Sequence, residues 1–154
     1  MESEPLEGSA SEEDRALETS KENGKGSKET ILVVEDEEMV RDLVTRSLGY
    51  LGYEVISASN GEEGLTIVRQ RNDEIDMVFT DIVMPRMSGP EMVAKMTEEQ
   101  LDLPVLYTTG FTDNKRLLED GEIREGVNLL PKPYTTKVLA NRVREVLDTT
   151  TNNN

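Results

Sequence analysis

The chain has 154 residues, enough for one ordinary domain and a tail, and only 35% of them are hydrophobic. With no cysteine and no histidine it cannot form disulfides, Cys- or His-ligated metal sites, or Ser-His and Cys-His nucleophiles, and it cannot itself be the histidine donor of a phosphorelay. Asp and Glu number 32 against 17 Lys and Arg, and the formal charge of −15 repels nucleic acid and anionic membrane.

Residues 1–29 are rich in Glu, Ser, Gly and Lys and carry too little apolar surface to offset ordering entropy, so they read as a disordered acidic tail or linker. The opening Met1-Glu2-Ser3-Glu4 is acidic, unlike a secretory signal, and no apolar run approaches the roughly 20 residues that span a bilayer. A cytoplasmic protein without membrane partners is expected.

Ile31-Leu32-Val33-Val34 is a continuous β-branched and aliphatic run, the pattern of a strand buried on both faces. A helix is predicted over 39–50 from Met39, Val40, Leu43, Val44 and Leu48, with Gly49 and Gly52 bracketing its end. A second strand follows over 53–58, then a turn at Asn60-Gly61 and a helix over 62–71 with Leu65, Ile67 and Val68 inward. The third strand is predicted over 76–80, ending on Asp81, and a helix over 89–98 begins with Pro90 near its first turn, where a missing N–H costs little. A fourth strand over 104–107, a shorter and less stable helix over 113–120 and a fifth strand over 127–130 come next. The last helix is predicted over 135–147, with Thr135 or Thr136 as N-cap and Val138, Leu139, Val143, Val146 and Leu147 on one stripe. Residues 149–154 read as a polar tail. The result is an α/β domain over 30–148: five βα units which right-handed crossovers force into one parallel, doubly wound sheet.

Polar groups gather at the carboxyl ends of these strands, where open α/β sheets keep their sites. Strand one ends in Glu35-Asp36, strand three in Asp81, strand four in Thr108-Thr109-Gly110, and strand five in Pro131-Lys132-Pro133. If strands one and three are neighbours, Glu35, Asp36 and Asp81 converge, and three such carboxylates must take up protons or bind a cation. All-oxygen ligation suits Mg²⁺ or Mn²⁺. The run Glu35-Asp36-Glu37-Glu38 reads equally well as an acidic helix start favoured by the macrodipole. The two prolines restrain the backbone of Lys132, so that its ammonium can be aimed at a fixed anion.

These segments together resemble the receiver domain of two-component response regulators. The resemblance covers roughly residues 29–148 and is carried by Ile31-Leu32-Val33-Val34-Glu35-Asp36-Glu37, by Asp81-Ile82-Val83-Met84-Pro85 with Gly89, by Thr109 and by Lys132-Pro133-Tyr134, in that order. It implies a flavodoxin-like strand order of 2-1-3-4-5, and Asp81 as the phosphoacceptor for a phosphoryl group from a sensor histidine kinase or a histidine phosphotransfer protein. It implies Asp36, Asp81 and the backbone carbonyl of Val83 as ligands of Mg²⁺, with Glu35 acting through water. Lys132 would neutralise the phosphoryl group and Thr109 would hydrogen-bond it. Such a domain catalyses its own phosphoryl transfer and dephosphorylation without being a conventional enzyme, unless it is part of a hybrid histidine kinase, and it signals by conformational change to a downstream protein. Partner choice falls to surface positions on the first helix and the loop after strand five.

Two departures from the common pattern carry expectations. Glu35 stands where many relatives have Asp, and Leu129 stands where many carry a Tyr or Phe, so that output is expected through the helix over 113–120 or its following loop. Val83 and Phe111 flank the site, and neither can orient a hydrolytic water, so slow self-dephosphorylation is expected. Two other functions compete. A phosphatase of the haloacid dehalogenase type requires a second Asp two residues after the nucleophile, where this chain has Val83. A receiver-like scaffold that is never phosphorylated has no need of a complete set of site residues. The linker-like Gly26-Ser27-Lys28-Glu29-Thr30 leaves a stand-alone regulator and the receiver of a hybrid kinase equally open.

Overall fold

The computed structural model describes residues 28–110 and 128–152. The predicted helix over 113–120, Phe111 and the first predicted residue of strand five, Val127, lie outside them, as does nearly all of the N-terminal segment. The elements are β1 (Thr30–Val34), α1 (Glu38–Tyr50), β2 (Glu54–Ala58), α2 (Gly61–Arg71), a 3₁₀ turn (Asn72–Glu74), β3 (Met77–Asp81), α3 (Gly89–Glu98), β4 (Val105–Thr109), β5 (Leu129–Pro131) and α4 (Thr136–Asn152). All strand pairs are parallel, in the order β2-β1-β3-β4-β5. None of the described helices is long and apolar enough to cross a membrane.

The apolar run of β1 shows why helices must cover both faces. Ile31 and Val33 point to one side, where they pack with Val44 and Leu48 of α1 and Leu139, Val143 and Leu147 of α4. Leu32 and Val34 point to the other, into a cluster with Leu65 and Val68 of α2 and Met92 and Met96 of α3. Alternate residues of one strand thus serve two cores, and truncating a fully buried member such as Leu48 to Ala costs about 2–5 kcal/mol.

Tertiary context moves several boundaries. β3 begins one residue later than predicted, because the Asp76 carboxylate leaves the strand to accept the Thr30 backbone N–H at 2.7 Å, and it runs through Asp81 itself. β4 continues to Thr109 and β5 to Pro131, since the two edges pair at Thr109 and Pro131. The last helix starts at Thr136. Thr135 is its N-cap, with Oγ1 accepting the Val138 N–H at 3.1 Å. That helix reaches Asn152, so 149–152, read as tail from their polarity, extend a helix already anchored by its packed face. The apolar stripes are also wider than the cores they serve. Val44 and Leu48 of α1 are buried with Val40 packed beside them, while Met39 is 85% and Leu43 60% exposed, and Val138 of α4 faces out as well.

Candidate functional site

Register delivers the acids to one place. Val34 of β1 pairs with Thr80 of β3, so the next residues on each strand, Glu35 and Asp81, leave the sheet side by side. Glu35 still donates its backbone N–H to the Ala58 carbonyl at 3.1 Å, and its own carbonyl accepts Arg41 Nη1 at 2.9 Å. Its Oε2 accepts the Glu37 N–H at 3.2 Å. The acidic run therefore serves both of its readings. Glu37 and Glu38 sit exposed at the start of α1, while Glu35 and Asp36 turn to the sheet edge.

The segment after Asp81 is folded tightly against it. Gly89 donates to the Ile82 carbonyl at 3.0 Å, Met84 is buried, and Arg86 takes a left-handed φ of 73° to close the turn. Ser88 and Glu91 form a reciprocal capping box at the start of α3, with the Glu91 N–H on Ser88 Oγ at 3.2 Å and the Ser88 N–H on Glu91 Oε1 at 3.0 Å. Val83 stays 61% exposed on the rim.

On the other side, the Lys132 N–H donates to the Thr109 carbonyl at 2.9 Å, which sets the lysine beside the end of β4. Its ammonium reaches back to Asp81 Oδ2 at 3.2 Å and Glu35 Oε1 at 3.3 Å. Thr109 is buried, and Asp36, Glu37, Asp81, Val83, Thr109 and Lys132 line an open cavity of about 350 Å³. The structure thus brings together every predicted site residue: Glu35, Asp36, Asp81, Val83, Thr109 and Lys132.

Electrostatics follow from this crowding. Burial first, and then the negative charge of Asp81, push the Glu35 carboxyl up to about 7, against the opposing pull of the Glu37 N–H and Lys132. Burial alone would lower Lys132, but Asp81 and Glu35 outweigh it and hold the ammonium above its usual range. Tyr134, packed edge-on to Phe79 with ring centroids 6.1 Å apart, is raised by burial and by the same two acids.

Ligand oxygens of Glu35, Asp36 and Asp81 lie within 4.8 Å of one another, the only such group of three among the described residues. Three carboxylates facing one ammonium leave excess negative charge carried entirely by hard oxygen donors. That donor set fits a divalent cation of the Mg²⁺ or Mn²⁺ kind.

Two supporting features were not read from the sequence. The S-x-x-E pattern of Ser88-Pro90-Glu91 with Gly89 was there to be seen as a capping box; Arg41 offered no such signal, because its bond to a backbone carbonyl depends on how the β1–α1 loop turns.

The family model of the response regulator receiver domain matches residues 31–144. Among curated proteins, the chain is 34% identical over 122 residues to the sensor kinase CckA of Brucella abortus (strain 2308), covering 77% of this chain and 12% of that protein. It is 36% identical over 121 residues to the response regulator MprA of Mycolicibacterium vanbaalenii, covering 79% of this chain and 51% of that protein. The chain thus spans a small part of the one and about half of the other. Among solved structures, a response regulator receiver domain protein from Clostridium thermocellum superposes with a TM-score of 0.71 at 28% identity, over 80% of this chain and 97% of that one. The receiver domain of the hybrid histidine kinase CckA does so with a TM-score of 0.63 at 37% identity, over 77% and 98%.

Proposed function

This chain belongs to the response regulator receiver domain family, and on that premise we propose that it is a phosphoacceptor in which Asp81 takes a phosphoryl group from a histidine of a partner kinase or phosphotransfer protein. The observation that carries this reading is the approach of Lys132 Nζ to Asp81 Oδ2, 3.2 Å across 51 residues of sequence, beside a solvent-open cavity.

In the reaction, one Asp81 carboxylate oxygen attacks phosphorus opposite the histidine nitrogen. The O–P bond forms as the P–N bond breaks, and the released imidazole nitrogen takes up a proton from water. Little covalent chemistry falls to the protein; its task is placement and charge neutralisation. Lys132 carries positive charge to the transferring oxygens. The Thr109 hydroxyl donates to one of them, and the Thr109-Gly110 segment follows it inward. Asp36, Asp81 and the Val83 carbonyl would hold Mg²⁺ or Mn²⁺, with Glu35 reaching it through water, and the ion supplies further neutralisation of the phosphoryl oxygens.

We assign the partner's docking face to the surface beside the site. Val40, Leu43 and Val44 of α1 border an apolar groove of about 220 Å³ together with Pro133, Tyr134 and Leu139, with Met39 exposed on the same helix. A helix bearing the donor histidine fits such a groove and would bring the histidine to the Lys132 end of it. The phosphorylated state signals to a downstream protein by conformational change, in a cytoplasmic setting.

Incubation with candidate kinases and ATP, followed by detection of an acyl phosphate, tests the reading. The label is expected on the native protein and not on Asp81→Asn. A label that survives Asp81→Asn overturns it.

A further inference from the structure

Glu35 is one methylene longer than an aspartate, and its carboxylate contacts the Lys132 ammonium. Both of its carboxylate oxygens are engaged, Oε2 with the Glu37 N–H at 3.2 Å and Oε1 with Lys132 Nζ at 3.3 Å. Its backbone is held at both ends, the N–H by Ala58 and the carbonyl by Arg41. Yet Glu35 is 3% exposed and forms no part of the cavity wall that Asp36, Asp81 and Lys132 share. It grips the ammonium from behind that wall.

We propose that Glu35 is a latch on Lys132, a positioning residue that keeps the ammonium engaged inside the site and so lowers the site's affinity for a phosphoryl-like anion until its carboxylate is drawn away. The inference rests on the phosphoacceptor reading and deepens it. An ammonium has three donors, and two of these are spent on Glu35 and Asp81. An arriving anion must displace one of them. Displacing Glu35 leaves a buried carboxylate with a single backbone N–H for a partner, which is costly. A cation among the three acids offsets that charge, so the latch couples cation occupancy to the freedom of Lys132. An aspartate on the same anchored backbone would stop short of the ammonium.

The metal-free protein, kept in chelator at about pH 8, where Glu35 is ionised, is titrated with inorganic phosphate and followed by chemical shift. Three variants separate reach from charge. Glu35→Asp keeps the charge and loses the reach, Glu35→Gln keeps the Glu37 bond and loses the ion pair, and Asp36→Asn removes a charge that does not touch Lys132. Glu35→Asp and Glu35→Gln are expected to bind phosphate about tenfold more tightly than the native chain, the fold-change that the loss of one charge-assisted hydrogen bond corresponds to. Asp36→Asn is expected to gain clearly less. Native-like affinity in Glu35→Asp, or an equal gain in Asp36→Asn, overturns the latch. Acyl-phosphate labelling of Asp81 is measured on the same proteins. Labelling without the Glu35→Asp gain overturns the latch alone, whereas the gain without labelling overturns the phosphoacceptor reading.

Discussion

Gly89 lies so close to the backbone carbonyl of Asp81 that no side chain fits between them: a Cβ there would overlap the carbonyl oxygen and crowd Thr80 Cγ2 at 3.3 Å. The start of α3 is thereby wedged against the strand end that carries the proposed phosphoacceptor. The atom in the way is backbone and cannot rotate aside. Gly89→Ala is expected to destabilise the domain by about 1–3 kcal/mol, the usual cost of overpacking, in urea denaturation. It should also disturb the Asp81 amide resonance. Unchanged stability would mean that α3 can slide.

Gly49 is the opposite case. It lies inside α1, and a Cβ there meets nothing within 4 Å. Gly49→Ala is expected to stabilise the protein by about 0.5–1 kcal/mol, because alanine loses less backbone entropy in a helix. The same urea measurement checks it.

The five strands and the polar residues at their ends, Glu35, Asp36, Asp81, Thr109 and Lys132 among them, were legible because each strand is a short apolar run that ends abruptly on a polar residue, whereas the order 2-1-3-4-5 that makes the acids meet followed from the resemblance to receiver domains. Boundaries were less legible. Asp76 looks like strand until its carboxylate is seen to cap Thr30, 46 residues away. The outward turn of Met39 and Leu43 was also hidden, since helical periodicity marks apolar faces without saying which part of a face finds a partner. Nor could spacing show that Glu35 spends one oxygen on Lys132, 97 residues along the chain.

Glu35 gives the domain a pH dependence of unusual sign. The folded carboxyl holds its proton up to about 7, while in the unfolded chain it releases it near 4.5. Between those values the folded state binds more protons, so Glu35's contribution is fully present below 4.5 and is lost as pH rises through 7. The lost contribution is about 3 kcal/mol. In chelator, the stability difference between the native chain and Glu35→Gln should therefore slope downward from pH 4.5 to 7 in urea titrations. Excess Mg²⁺ should flatten that slope. A flat difference in chelator would show that Glu35 is ionised throughout.

Val83 sets how long a phosphoryl group on Asp81 would survive. It is 61% exposed on the cavity rim, two residues from Asp81, and its side chain has no hydrogen-bonding atom to hold an attacking water. Val83→Asn supplies one. The acyl phosphate should then decay on the order of tenfold faster, the yield of one well-placed hydrogen bond. The decay of labelled protein after removal of kinase and ATP measures it, and an unchanged rate refutes the role given to Val83.

Leu129 occupies a space that an aromatic ring on the neighbouring strand already shares. It is fully buried, pairs in register with Tyr107 of β4, and packs with Tyr107 and Ile82. A ring placed at 129 must compete with the one at 107 for the same volume. Leu129→Phe alone is therefore expected to cost about 1–3 kcal/mol by overpacking. Tyr107→Leu alone is expected to cost a comparable amount through the cavity it leaves. Made together, the two changes move the aromatic from β4 to β5 at nearly constant volume, and the double variant should be more stable than the summed single losses predict by about 1 kcal/mol or more. Urea denaturation of the four proteins closes this cycle. Additive losses would show that the two side chains do not share one volume, and that Leu129 stands in place of an aromatic for a reason unrelated to Tyr107.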